Sequence, residues 1–143
     1  MDVNVLVYAH RKDAQRHGEF HRWLQNVMEG HSGFGVSDTV LSGFLRIVTH
    51  PRIFDPPTPL AQALAFIEML RTHPAATHIQ PGHRHWEIFR KLCRDAGATG
   101  NLVSDAWLAA LAIESGCEWI TTDRDFARFP GLRWRHPLPA AIP

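Results

Sequence analysis

Two features of this 143-residue sequence predict an α/β fold built on a mainly parallel sheet. Short β-rich runs alternate with longer stretches whose apolar residues recur at helical spacing, the pattern of strand–helix–strand units with helices on both faces. The most coherent unit, GNLVSDAWLAALAIESGCEWITTDRDF at residues 100–126, joins an apolar helix, a turn at Gly116 and a β-rich run that stops at Asp123. The carboxyl end of a strand is where open α/β sheets place their sites.

The length suits one domain with a full core, taken as residues 1–143 with an irregular tail at 136–143. Hydrophobic residues make up 45% and charged residues 20%, the balance of a globular protein rather than a disordered or fibrous one. No run of about 18 apolar residues predicts a membrane span. The start, MDVNVLVYAH, lacks the basic region and cleavage site of a signal peptide, so the cytosol is the expected location. Cys93 and Cys117 lack zinc-ligand spacing and are expected as buried free thiols. A net charge of +1 does not announce a nucleic-acid binder, although arginines gather in the second half.

Taken in order, residues 1–9 are apolar and β-branched and read as a strand by periodicity, with Asp2 and Asn4 on one face. Residues 14–29 read as a helix capped by Asp13 and stopped by Gly30. Gly33 to Val36 is a short strand or connector. Ser37 or Asp38 caps a helix over 39–49, which Pro51 ends. Residues 52–59 form a proline-rich loop. A helix over 60–72 carries Leu60, Leu64, Ile67 and Leu70 on one side, and Thr77 to Ile79 is a brief strand. The helix over 84–96 turns Trp86, Phe89, Leu92 and Cys93 inward and ends at Gly97. After the 100–126 unit come a short helix near 126–129 and an edge strand at 132–135. Trp86, Trp107 and Trp119 are expected in the core. His17 and His21 form an i, i+4 pair on a helix and read as surface residues, and no histidine is assigned to a site.

Asp2, Asp105 near a helix start and Asp123 after a strand are the candidate ligands of a cation, with Asn4 and Asp125 as helpers. Taken singly, Asp105 is equally well explained by the helix dipole and Asp123 by turn chemistry. An oxygen-only set without thiolates suits Mg²⁺ or Mn²⁺, the ions of phosphodiester and phosphate hydrolysis.

DVNVLVYAH, LSGFLRIVTHPRIF and VSDAWLAALAIESG followed by WITTDRDFARFPGLRW resemble the PIN-domain family, and more narrowly the VapC-type toxins of bacterial toxin–antitoxin pairs. The resemblance implies a three-layer α/β/α fold with a central, mainly parallel sheet. It also implies a metal-dependent endoribonuclease, a frequent homodimer, and an antitoxin partner that masks the site. On it, Asp2, Asp105 and Asp123 hold Mg²⁺ or Mn²⁺, and Asn4 and Asp125 support them; apart from the resemblance, Arg46, Arg124 and Arg128 are read as cations for RNA phosphates. Water rather than the RNA 2′-OH is the nucleophile, so products carry a 5′-phosphate.

The sequence departs from the family twice. The usual helix-2 glutamate is Gly43 (VLSGFLR), and Asp38, five residues earlier, is about 140° away around a helix. Only Met1 precedes Asp2, where relatives carry a buried strand, so 3–8 on the family reading is turn and helix. Two other readings stand beside the ribonuclease. One is a catalytically impaired RNA- or antitoxin-binding PIN module, motivated by Gly43. The other is a phosphatase or phospho-acceptor, which the Asp2-x-Asn4 pattern serves poorly.

Overall fold

The structure of the chain, a computed structural model, describes residues 1–139. Its elements are α1 (Val3–His10), α2 (His17–Glu29), β1 (Phe34–Val36), α3 (Asp38–Val48), α4 (Leu60–Arg71), β2 (Ala76–His78), α5 (His85–Ala96), α6 (Asn101–Ser115), β3 (Trp119–Ile120) and β4 (Trp134–Arg135), with a 3₁₀ turn at Arg124–Arg128. Every strand pair is parallel: β1 with β2, and β3 with β4. The chain is therefore α/β, as expected. It divides into two compact units, Met1–His78 with the segment from Pro137, and Ile79–His136.

The first unit is built around α1. Its Val, Leu and Tyr content suits a strand, yet it is a helix, so the periodicity reading of residues 1–9 is overturned. Val5, Leu6, Val7 and Ala9 are buried, and a short helix enclosed nearly all round shows no amphipathic period to detect. Burial overrides the weak β preference of valine. Asp2 caps the N-terminus, its carboxylate accepting the Val3 N–H at 2.7 Å. At the other end the Arg11 N–H donates to the Val7 carbonyl at 2.9 Å. His17 Nδ1–H donates to the Tyr8 carbonyl at 3.0 Å and His21 Nδ1–H to the Ala9 carbonyl at 3.3 Å. Carbonyls that a helix end leaves unpaired are thus taken up by side chains of α2.

Helix α2 starts at His17, three residues later than expected. Asp13 is not its cap; it pairs with the Arg11 guanidinium at 2.6 Å. Arg16 precedes the helix in a left-handed conformation and is gripped by Glu19 through two contacts of 2.8 Å. Helix α3 buries Val40, Leu41, Phe44 and Val48, as its spacing predicts. Helix α4 is rotated from expectation. It buries Ala63, Ile67 and Leu70, whereas Leu60 and Leu64 are exposed. The stripe is narrower than the leucines alone suggest, because a small alanine holds the middle of the contact.

Gly43 of α3 faces α1. A Cβ there would lie 3.0 Å from Val3 Cγ2, closer than carbon atoms normally pack. Glycine in mid-helix lets these two helices approach.

In the second unit α5 is likewise turned from its expected face. His85, not Trp86, points inward: it is 2% exposed and Trp86 is 60% exposed. His85 Nε2–H donates to the Trp107 carbonyl at 3.0 Å, and its ring stands edge-on to the Trp107 indole, 4.1 Å between centroids. Of the tryptophans expected inside, Trp119 is buried and Trp107 half-buried. The start of α5 is capped from α6. The Glu114 carboxylate accepts the Gly82 N–H at 2.7 Å and the Arg84 N–H at 2.9 Å. A Cβ at Gly82 would meet that carboxylate at 2.6 Å. These bonds hold the Glu114 carboxyl below its ordinary range. Helix α6 ends at Gly116 in the left-handed region, as read from the sequence. The β-rich run at 118–122 yields only a two-residue strand. Cys93 and Cys117 are free and half-buried. The described part of the tail, to residue 139, adds no helix or strand, and residues 140–143 lie outside the described residues.

Two measurements test this packing. Burial, then the neighbouring Arg11 and His17, holds His10 below the usual imidazole range. The unfolded chain therefore binds that proton first as pH falls below about 6.5. The contribution of His10 is complete above that value and is lost as pH falls through the window down to the folded pKa. Urea midpoints should drop more steeply with acidification in the wild type than in His10→Gln; parallel curves would contradict this. Second, Gly→Ala inside a helix normally stabilises by about 1 kcal/mol. Gly43→Ala should gain none of this in the native background and about all of it beside Val3→Ala. Additive effects in the four-protein cycle would show that the two positions do not collide.

Candidate active site

The three acids proposed as ligands occupy three different kinds of position. Asp2 is an N-cap and 7% exposed, the one buried carboxylate among the described residues. A charge held so far from water needs compensation. Its bond to the Val3 N–H gives part of this. Asp2 belongs to the first unit; Asp105 and Asp123 belong to the second.

Asp105 lies in the second turn of α6, which begins at Asn101 and has no acid in its first turn. Helix-dipole stabilisation fades within the first turn. The helix dipole therefore does not account for Asp105, a half-buried carboxylate on a helix whose neighbours Leu102, Ala106, Leu108 and Ala109 are buried. Asp123 is positioned by a local relay. Thr121, fully buried, accepts the Asp123 N–H on Oγ1 at 2.9 Å. Asp123 Oδ1 in turn accepts the Asp125 N–H at 2.8 Å, capping the 3₁₀ turn. The relay fixes the carboxylate and spends one of its oxygens. Oδ2 has no protein partner among the described residues. Thr121 was missed in the sequence, although its place two residues before Asp123 is the signal of such a turn.

The helpers fare differently. Asp125 takes part through its backbone, and its side chain is exposed. Asn4 was placed beside Asp2 on strand geometry. In a helix, positions two apart point to different sides, and Asn4 is exposed. Arg46 in the last turn of α3 and Arg124 at the start of the 3₁₀ turn are both exposed. Arg128, another arginine of this stretch, is committed to the Ala96 carbonyl at 3.0 Å. Asp38 is paired with Arg71, so it is not a stand-in for the glutamate that the family resemblance would place at position 43.

As residue types, the three proposed carboxylates, without thiolate or imidazole, suit a hard ion such as Mg²⁺ or Mn²⁺. Among the described residues no group of three or more His, Cys, Asp or Glu side chains is gathered so as to hold a metal ion. No helix among them is long and apolar enough to cross a membrane.

Comparison with known proteins bears on the chain as a whole. The PIN domain family matches residues 1–132. Ribonuclease VapC43 of Mycobacterium tuberculosis is 46% identical over 96% of this chain and 94% of its own length, and a VapC ribonuclease of Mycobacterium bovis is identical to the same extent. Ribonuclease VapC25 of Mycobacterium tuberculosis is 42% identical over 96% of both chains. Among solved structures, a chain of VapBC2 from Rickettsia felis, crystallised with a DNA fragment from its promoter, superposes with a TM-score of 0.67 over 94% of both chains at 18% identity. That likeness concerns the fold, and it accords with the parallel strands and helices seen here. With nearly its whole length matched, the chain belongs to the PIN-domain family.

Proposed function

We propose that this protein is the toxin of a type II toxin–antitoxin pair, an endoribonuclease that hydrolyses RNA phosphodiester bonds. The observation that carries this reading is the 46% identity to a VapC ribonuclease across 96% of the chain. A single PIN domain over 1–143, Asp2, Asp105 and Asp123 as ligands of Mg²⁺ or Mn²⁺, a homodimer, an antitoxin partner and a cytosolic site of action belong to the same reading.

The metal, when bound, would acidify a water and offset charge on the non-bridging phosphate oxygens. The chain's own residues supply the rest. Asp2 brings its charge in a buried cap, which keeps it from wandering. Asp123 is held in one orientation by Thr121 and Asp125. Arg46 and Arg124 are exposed cations suited to the RNA backbone. Trp86, exposed beside Phe89 with ring centroids 5.4 Å apart, offers an aromatic face on which an unpaired base can stack.

A second reading keeps the fold and drops the chemistry. Gly43 brings no ligand, and its contact with Val3 leaves little room for one. The chain would then bind RNA or antitoxin without cutting. Metal titration separates the two. Mn²⁺ binding that Asp105→Asn or Asp123→Asn weakens favours the ribonuclease; no binding above buffer background favours the impaired module.

For the ribonuclease, EDTA should abolish RNA cleavage and added Mg²⁺ or Mn²⁺ restore it. Asp105→Asn and Asp123→Asn should each lower the rate by about a hundredfold or more. Sequencing of the fragments should find 5′-phosphate ends. Full activity in both variants would remove the proposed site, and 2′,3′-cyclic phosphate ends would remove water as the nucleophile.

A further inference from the structure

The histidines that tie α2 to α1 have unused chemistry. His17 and His21 are one helical turn apart, so their rings emerge on one face of α2. Each donates its Nδ1–H to a carbonyl of α1. That bond fixes the tautomer: with the proton on Nδ1, Nε2 carries a lone pair. Neither Nε2 has a partner among the described residues. Metal-binding histidines are commonly set in this way, with one nitrogen donating to a carbonyl and the other free to coordinate.

The ring spacing agrees. Two imidazoles on one tetrahedral zinc, with bonds of about 2.05 Å, hold their centroids about 5.2 Å apart. The His17 and His21 centroids are 5.4 Å apart, with the planes inclined by 37°. His17 is half-buried and His21 exposed, so an ion can enter and water can fill the remaining positions.

We propose that His17 and His21 form a second, transition-metal site that binds Zn²⁺ or a similar nitrogen-preferring ion. An ion on both Nε2 atoms adds a clasp to the two Nδ1 bonds and fastens α2 against the end of α1. Imidazole pairs select Zn²⁺, Ni²⁺ and Cu²⁺ over Mg²⁺. The site is therefore distinct in chemistry from the carboxylate set, and neither histidine belongs to that set.

Asparagine is the informative replacement. Its amide nitrogen sits where Nδ1 does and can still donate to the α1 carbonyl, but it has no equivalent of Nε2. The full chain, kept in excess Mg²⁺ so that carboxylate sites are occupied, is titrated with Zn²⁺ by calorimetry. The wild type should bind one equivalent, and His17→Asn and His21→Asn should each bind at least about ten-fold more weakly, as loss of one of two ligands requires. Zn²⁺ should raise the thermal midpoint of the wild type and leave that of His17→Asn/His21→Asn unmoved. Zinc binding as tight in both single variants as in the wild type would overturn the site, as would a wild type that takes up no more zinc than the double variant.

Discussion

A helix buried on nearly every side cannot leave the polar groups of its ends to solvent. Helix α1 meets that constraint with one residue type at each end, a carboxylate for the N–H groups and imidazoles for the carbonyls. Each unmet group would cost about 1–3 kcal/mol. Much of the first unit follows from this demand. Helix α2 must pass close enough to present His17 and His21, and α3 must carry glycine where Val3 presses against it. The residue that satisfies the N-terminal end, Asp2, is also the first of the proposed metal ligands. The same carboxylate would thus serve the fold and the chemistry.

The second unit repeats the principle with different parts. The exposed N–H groups before α5 are collected by Glu114 of α6, so the two helices are fastened by polar as well as apolar contact. His85, buried and bonded to the Trp107 carbonyl, adds a second fastening. Further along, Thr121 and Asp123 turn the chain sharply as β3 ends and aim a carboxylate in passing. Turn geometry and carboxylate orientation come from one short run, TTDRD.

Much of this was legible in the sequence, for reasons that differ by element. Helices α3 and α6 were readable because apolar spacing agrees with a stop signal, Pro51 after α3 and Gly116 after α6. Helix α1 was not, because eight mostly apolar residues show no period that separates strand from enclosed helix. The faces of α4 and α5 were misjudged because large apolar residues were assumed to lie inside. In α4 the inward place is held by Ala63, and in α5 by a histidine with a carbonyl to satisfy. Residue size does not encode either choice. Of the proposed site, Asp105 and Asp123 stood out from their incongruity in an apolar stretch, and Asp2 from its place in the first β-rich run. The relay through Thr121 and the capping role of Asp2 depend on backbone N–H groups, which a sequence does not display. Family resemblance gave that grouping of three acids a chemistry, the metal-dependent cleavage of RNA.

The contact between Gly43 and Val3 has a consequence for the substitutions open to this chain. Where the family resemblance leads one to expect a glutamate, the space its first carbon would need is partly taken by the Val3 methyl group. Valine is stiff about its first torsion and yields little within a helix. Introducing an acid by one substitution would therefore meet resistance from a residue forty positions away in the chain. With the two helices set against each other over a glycine, a carboxylate at position 43 calls for a pair of changes, one of them at position 3.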